Sequence, residues 1–211
     1  MEKAQLSRLI TLTVVRELAR KSEYYVPAAA SGRHAHLCRA DVEALFGAGY
    51  KLKELRPLSQ PGQIACEEKV TIVGSKGKIE GVRILGPERP ETQVEISMTD
   101  TFKLGIKPVV RMSGDIAGTP GCTLVGPAGE ARLRQGVIVA ARHLHISNEE
   151  AQLYGLRSGD IVSARKKGER EVTFGNIPVR SGDGHSLELH LDTDEANAAG
   201  ISGGDLLELI R

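Results

Sequence analysis

Tryptophan is absent from this sequence, and only four tyrosines and three phenylalanines stand among its 211 residues. So few aromatics disfavour a platform on which to stack bases. Neither sign of charge dominates: 28 Lys and Arg against 27 Asp and Glu leave +1, too little field to gather nucleic acid or an anionic membrane. No run approaches the roughly 18 consecutive apolar residues of a membrane span, and the first residues lack the basic, apolar, small order of a secretory signal. A cytoplasmic protein with no nucleic-acid or membrane partner is expected. The three cysteines, Cys38, Cys66 and Cys122, are odd in number and show no Cys-x-x-Cys spacing, which argues against a disulfide framework and a thiolate zinc finger alike. Gly-x-Gly-x-x-Gly before a helix and Gly-x-x-x-x-Gly-Lys are also missing, disfavouring Rossmann and P-loop nucleotide binding.

Glycine is plentiful, at 24 residues. It punctuates short apolar runs at 69–73, 82–85, 137–140, 161–164, 187–191 and 206–210, which read as strands. Only short helical pieces lie between them, at 39–46, 149–153 and 194–199. Strands this closely spaced point to barrels rather than a doubly wound sheet. At the start, Leu6, Ile10, Val14 and Leu18 recur every four residues, with Leu9 and Val15 widening the stripe, so residues 3–20 read as an amphipathic helix. That stripe either packs on its own domain or serves as a docking peptide. An extended run over 24–31, containing Pro27, follows and ends in Gly32. The expected fold is mainly β: two similar small β-barrel domains capped by short α-helices, plus the N-terminal amphipathic helix. The expected division is residues 1–22 for the helix, 26–120 for the first barrel and 121–211 for the second, with exchange of strands between barrels allowed.

An internal repeat underlies the barrels. The stretch from His145 to Ile161 recurs from His190 at an offset of 45, with Glu150 matching Glu195, Ala151 matching Ala196, Gly155 matching Gly200 and Gly159-Asp160 matching Gly204-Asp205. Fainter copies start at Glu95 and, with one residue inserted, at His36. The position before each capping helix therefore holds His36, Glu95, His145 and His190, all able to bind a metal. Two copies add a histidine two residues earlier, His34 and His143. Side chains two apart on a strand share a face, so each His-x-His pair presents both imidazoles to one centre. Imidazole nitrogen with a carboxylate suits zinc, ahead of cobalt, manganese or iron. Five histidines and one glutamate exceed the four ligands of one tetrahedral ion, and two zinc ions with about three protein ligands each would keep positions open for substrate. The sixth histidine, His185 in a glycine-rich turn, reads as incidental.

Other residues have more than one reading. Arg89, in the turn Gly86-Pro87-Glu88-Arg89-Pro90, lies six residues before Glu95 and could reach an anion at the metals. Arg33 and Arg142 precede the histidine pairs and should point to the opposite face, where ion pairs account for them. Cys38 is either an extra soft ligand or a small residue opening the capping helix. The glycine-rich segment 111–121 offers successive amides that could cradle phosphate, and an interdomain loop fits it equally.

On these residues the sequence resembles the phosphate propanoyltransferase family, the PduL-type phosphotransacylases. The resemblance runs from Val26 to about Gly204. It is carried by both Arg-His-x-His stretches, the Gly-Pro-x-Arg-Pro turn with Glu95 shortly after, the loop Arg111-Met112-Ser113-Gly114-Asp115-Ile116-Ala117-Gly118-Thr119-Pro120-Gly121, and the segment Leu189-His190-Leu191-Asp192-Thr193-Asp194-Glu195-Ala196-Asn197. It implies a two-barrel protein with two zinc ions per chain, held by His34, His36, Glu95, His143, His145 and His190. Arg89 would bind phosphate and Ser113 would lie near the active site. The implied reaction interconverts acyl-CoA, propanoyl or acetyl, and phosphate with acyl phosphate and coenzyme A. The resemblance also implies a microcompartment shell protein as partner for residues 1–22, in the compartment lumen. A homo-oligomer is a further option. Cys38 departs from the hydroxyl residue expected of relatives. Two other classes remain beside the transacylase: a dinuclear zinc hydrolase of thioesters or phosphoesters, and a non-catalytic barrel with structural zinc.

Overall fold

The computed structural model describes residues 3–21 and 23–211, with side chains from Ile10 onward except that of Thr11. Leu6 and Leu9 of the expected stripe lie outside the described side chains. In chain order the elements are α1 (Lys3–Arg20), β1 (Tyr25–Ser31), β2 (His34–His36), α2 (Arg39–Phe46), β3 (Glu54–Pro57), β4 (Ile64–Val73), β5 (Lys78–Gly86), β6 (Gln93–Ile96), α3 (Met98–Leu104) and β7 (Val110–Arg111). There follow β8 (Thr123–Val125), β9 (Glu130–Arg132), β10 (Val137–Ala140), β11 (His143–Ile146), α4 (Asn148–Tyr154), β12 (Ile161–Lys166), β13 (Val172–Ser181), β14 (Glu188–Asp192), α5 (Thr193–Ala199) and β15 (Leu206–Ile210). The mainly β architecture with short capping helices is the one expected. No described helix is long and apolar enough to cross a membrane.

The chain forms two compact units, one of residues 31–141 with 192–194 and one of residues 1–30, 142–191 and 195–211. In the second, six strands close a barrel in the order β1-β14-β11-β13-β12-β15. In the first, the strands form a half-barrel, β7-β10-β6-β2-β5-β4-β8-β9, with β3 added on β4. The division expected at 120/121 differs from this one. β8, β9 and β10 pair with strands of the half-barrel, and β1 pairs with β15, about 180 residues away.

The repeat is visible as a strand, a capped helix and a glycine stop. On α3, Ser97 Oγ accepts from the Asp100 amide and the Asp100 carboxylate accepts from the Ser97 amide, and Ser147 and Glu150 do the same on α4. Such reciprocal boxes satisfy two amides that a helix start would otherwise leave unpaired. Gly105 and Gly155 end these helices at φ 66° and 62°, a left-handed conformation that glycine adopts without a Cβ clash. On α2 the N-cap is Cys38, whose side chain makes no cap bond. Thr92 links the two ends of the box instead: its Oγ1 accepts from the Cys38 amide and donates to the Asp41 carboxylate. Arg33 pairs with Asp100 at 2.8 Å and Arg142 with Glu195 at 2.6 Å, the ion pairs expected of them.

Between the polar positions the strands are apolar. Ala35, Val94, Leu144 and Leu189 are fully buried, the first two in the half-barrel core and the last two in the barrel core. On α1, Val15 is buried in the barrel core, so this helix packs at least in part on its own unit, while Ile10 and Val14 are 57% and 52% exposed.

Glu150 is buried, and its carboxylate also accepts from the Leu187 amide at 3.1 Å, just before β14. Replacing Ser147 by alanine removes one cap and should lower stability by about 1 kcal/mol. Glu150→Ala strips partners from both the Ser147 and Leu187 amides and should cost more, about 2–3 kcal/mol. Urea denaturation midpoints check the order; equal losses would mean that the β14 anchor contributes nothing.

Candidate metal centres

Among the described residues, each unit carries one cluster of three ligand-type side chains. In the half-barrel, His34 lies opposite Glu95, and His36 opposite Gln93, across the antiparallel pair β2/β6. In the barrel, His143 lies opposite His190, and His145 opposite Glu188, across β11/β14. His34, His36 and Glu95 offer atoms all within 4.8 Å of one another, and so do His143, His145 and His190. All six residues singled out in the sequence as ligands are thus gathered, three to a unit.

The donors fit a divalent cation. Nδ1 of His34 donates to the Gly32 carbonyl at 2.9 Å, which leaves Nε2 with its lone pair 3.5 Å from the Glu95 carboxylate. The Nε2 atoms of His143 and His145 stand 2.9 Å apart, close to the roughly 3.3 Å between two nitrogens on one tetrahedral zinc. Among the described residues, the buried side-chain atoms with no hydrogen-bond partner are Nδ1 of His36 and Nδ1 of His145. These are repeat-equivalent atoms; an imidazole gives an ion only one nitrogen, so His145 ligates either through Nε2, beside that of His143, or through this orphaned Nδ1, which no group of the protein satisfies.

Arg89 and Ser113 join the half-barrel cluster. The turn that carries Arg89 starts at a cis Gly86–Pro87 bond and is tied to the end of β2 by the Arg89 amide on the Leu37 carbonyl, 2.9 Å. Arg89 Nη1 donates to Ser113 Oγ at 3.1 Å, and Gln93 Nε2 donates to the same oxygen at 2.9 Å and to Glu95 Oε1 at 2.7 Å. Ser113 therefore uses both lone pairs as acceptor and has its O–H to give. The glycine-rich segment lies within the half-barrel unit and is not a linker between units. Its Gly114 and Gly118 amides go to Gln93 and Gln135, and the Asp115 and Thr119 amides to carbonyls within the segment, so these four do not form a phosphate cradle. Cys38 is placed as a helix-opening residue, its thiol 3.4 Å from Asp41.

The family model for phosphate propanoyltransferase matches residues 27–202. A phosphate propanoyltransferase of Thermotoga maritima is 51% identical over 85% of this chain and 86% of its own length. One of Priestia megaterium is 49% identical over 95% and 94%, and one of Clostridioides difficile 46% over 90% and 91%. The chain belongs to the phosphate propanoyltransferase family. It is therefore an acyltransferase of the phosphotransacylase type.

Four residues of this family member's clusters were not singled out in the sequence. Gln93 and Glu188 sit two residues before Glu95 and His190, at the positions that hold His34 and His143 in the other copies, and the repeat could have found them. His185, expected to be incidental, stacks its ring on His145 with centroids 4.5 Å apart and planes 32° from parallel. Arg180, opposite His145 on β13, carries no signal in the sequence.

Burial first, then the His34 and Arg89 charges, pushes the His36 imidazole down to about 3. Burial, then His143 and His190, pushes His145 down to about 2. For His34, burial works downward, but the Glu95 carboxylate outweighs it and holds the imidazole above its ordinary value. Burial works upward on Glu95, but His34 overcomes it and holds the carboxyl far below its usual range. His36 and His145 thus stay neutral and able to ligate. An unfolded chain protonates both near 6.5, so below that pH it binds protons that the folded, metal-free protein refuses, and stability falls as pH falls. Glu95 acts in the same direction below about 4.5, and His34 partly opposes. The melting temperature of the metal-free protein should drop steadily from pH 7 to pH 4; a flat profile would contradict these environments.

Proposed function

We propose that this chain is a zinc-dependent phosphate acyltransferase that interconverts propanoyl-CoA or acetyl-CoA and phosphate with the acyl phosphate and coenzyme A. The observation that carries the reading is Arg89 wired through Ser113 and Gln93 to Glu95 of a three-ligand cluster. That arrangement is an anion site beside a cation site. His34, His36 and Glu95 would hold one zinc ion, and His143, His145 and His190 a second. Zinc bound there supplies Lewis acidity that offsets the charge of phosphate and of the oxyanion developing on the thioester.

The protein's own residues bind and aim. The Arg89 guanidinium presents a planar fork that matches two phosphate oxygens; its bond to Ser113 aims the fork, and the Arg89 backbone amide on the Leu37 carbonyl holds the turn that carries it. Ser113 has an O–H to donate, to Glu95 or to a phosphate oxygen. Gln93 holds Ser113 and Glu95 in one frame. Phosphate is the nucleophile: a P–O⁻ oxygen forms the new bond to the acyl carbon, the C–S bond breaks, and coenzyme A leaves as thiolate. A thiolate needs little acid assistance, since thiols ionise near 8.5. Holding phosphate against the thioester makes the attack effectively intramolecular. Cys38 forms no acyl-enzyme in this scheme, since its thiol is engaged at the start of α2.

Thiol release from propanoyl-CoA and acetyl-CoA, with and without phosphate, tests the reading on protein whose zinc is quantified before and after chelation. Release should require both phosphate and zinc, and the ratio of the two rates gives the acyl preference. Release that ignores phosphate would make the protein a hydrolase, and no release from folded, zinc-loaded protein would leave a structural barrel. Arg89→Lys keeps the charge but loses the fork, and should raise KM for phosphate about tenfold; an unchanged KM would remove Arg89 from the phosphate site.

The exposed Ile10 and Val14 of α1 support docking to a microcompartment shell protein, with the enzyme in the compartment lumen. A reporter fused to residues 1–22 should co-purify with compartments, and one that stays behind would end this part of the proposal.

A further inference from the structure

The two clusters are built on equivalent quartets of side chains. Across β2/β6 the four are His34, His36, Gln93 and Glu95; across β11/β14 they are His143, His145, Glu188 and His190. Three corners of each quartet are the ligand-type residues. The fourth is Gln93 in the half-barrel and Glu188 in the barrel. Each stands two residues before the third ligand, on the same strand face, and each is bonded to it. Gln93 Nε2 donates to Glu95 Oε1 at 2.7 Å, and His190 Nε2 donates to Glu188 Oε2 at 2.7 Å.

The exchange between the quartets is chemically reciprocal. A carboxylate only accepts, and the residue behind Glu95 is an amide that donates. An imidazole that ligates with one nitrogen carries its proton on the other, and the residue behind His190 is a carboxylate that accepts. Nε2–H of His190 faces Glu188, so Nδ1 is left with the lone pair. Charge is conserved as well. Each quartet contains one carboxylate, Glu95 at the ligand corner of one and Glu188 at the supporting corner of the other. The Glu188 and His190 side chains are only 15% and 23% exposed, so this is not a solvated surface pair of negligible worth.

We propose that Glu188 is a positioning residue of the second metal centre: it fixes the tautomer and orientation of His190 and supplies that centre's one negative charge from behind the imidazole. The proposal rests on the reading of His143, His145 and His190 as ligands. Carboxylates behind metal-bound histidines raise ligand basicity, and their loss weakens metal binding about 10- to 100-fold.

The test compares the full-length wild-type chain with Glu188→Gln and Glu188→Ala. Each metal-free protein is titrated with Zn²⁺ against a chelator of known affinity and, separately, with Co²⁺ followed by its visible absorption. Melting temperatures of the metal-free proteins report on folding. Wild type should bind two ions per chain. In Glu188→Ala one site should weaken about 10- to 100-fold with the other unchanged. Glu188→Gln should fall between, because its amide oxygen still accepts from Nε2–H but brings no charge. Unchanged affinity at both sites, or equal loss at both, overturns the proposal. If the alanine variant fails to fold, the near-isosteric glutamine variant decides, and a loss below about twofold overturns it. A wild-type chain binding fewer than two ions would instead defeat the metal reading itself, before any variant is compared.

Discussion

Side chains directly opposite one another in an antiparallel pair have Cβ atoms about 4.5–5.5 Å apart, and that spacing brings His34 to Glu95 and His143 to His190. Both clusters depend on this register. A slip of one residue would turn every side chain to the other face, moving Ala35 and Val94 into one cluster and Leu144 and Leu189 into the other. The alternation that selects the ligands also buries these four apolar residues completely. Core packing and the polar face therefore enforce the same register, and neither can shift without the other.

The helices that follow the ligand strands hold this register from the far end. Each cap begins two residues after a ligand, so a capping box at Ser97 or Ser147 fixes where the strand stops. Arg33 and Arg142 reach from the histidine strands to acidic residues of α3 and α5, joining each strand to the helix after its partner strand. In the half-barrel a further chain runs Arg89, Ser113, Gln93, Glu95. Hydrogen bonds linked in this way polarise one another, so the position of the guanidinium and that of the carboxylate are not independent.

Much of this could be read before any coordinates. The two His-x-His pairs have the period of a strand, and the 45-residue offset showed that His190 is equivalent to His145 and that the polar face recurs. The ends of α2, α4 and α5 were legible to within a residue, helped by the local signal of a glycine just past each helix, whereas α3 was implied only by the repeat and was given no bounds. Other features were not local. The pairing of β1 with β15 joins segments with no periodic relation, so the division of the chain was drawn elsewhere. His185 sits in a turn and meets His145 only through the fold. Gln93 and Glu188 were within reach of the repeat, but each stands where the other copies carry the first histidine of a His-x-His pair, and neither is a histidine.

The closure of the barrel by β1 and β15 has a consequence for how the chain acquires its structure. Residues 31–141, the bulk of the half-barrel, are contiguous, so nearly all its pairings can form once that stretch has left the ribosome. The barrel has its first strand at residue 25 and its last at residue 206. β1 must wait, unpaired on that side, for the whole intervening chain to be made. Contacts of such long sequence separation carry a large loop-closure entropy and form slowly. Folding of the intervening half-barrel would take residues 31–141 out of the effective loop between β1 and β15, making a closure over about 180 residues considerably more local. The architecture thus favours vectorial assembly, with the inserted unit maturing first and the barrel sealing only when the final strand arrives.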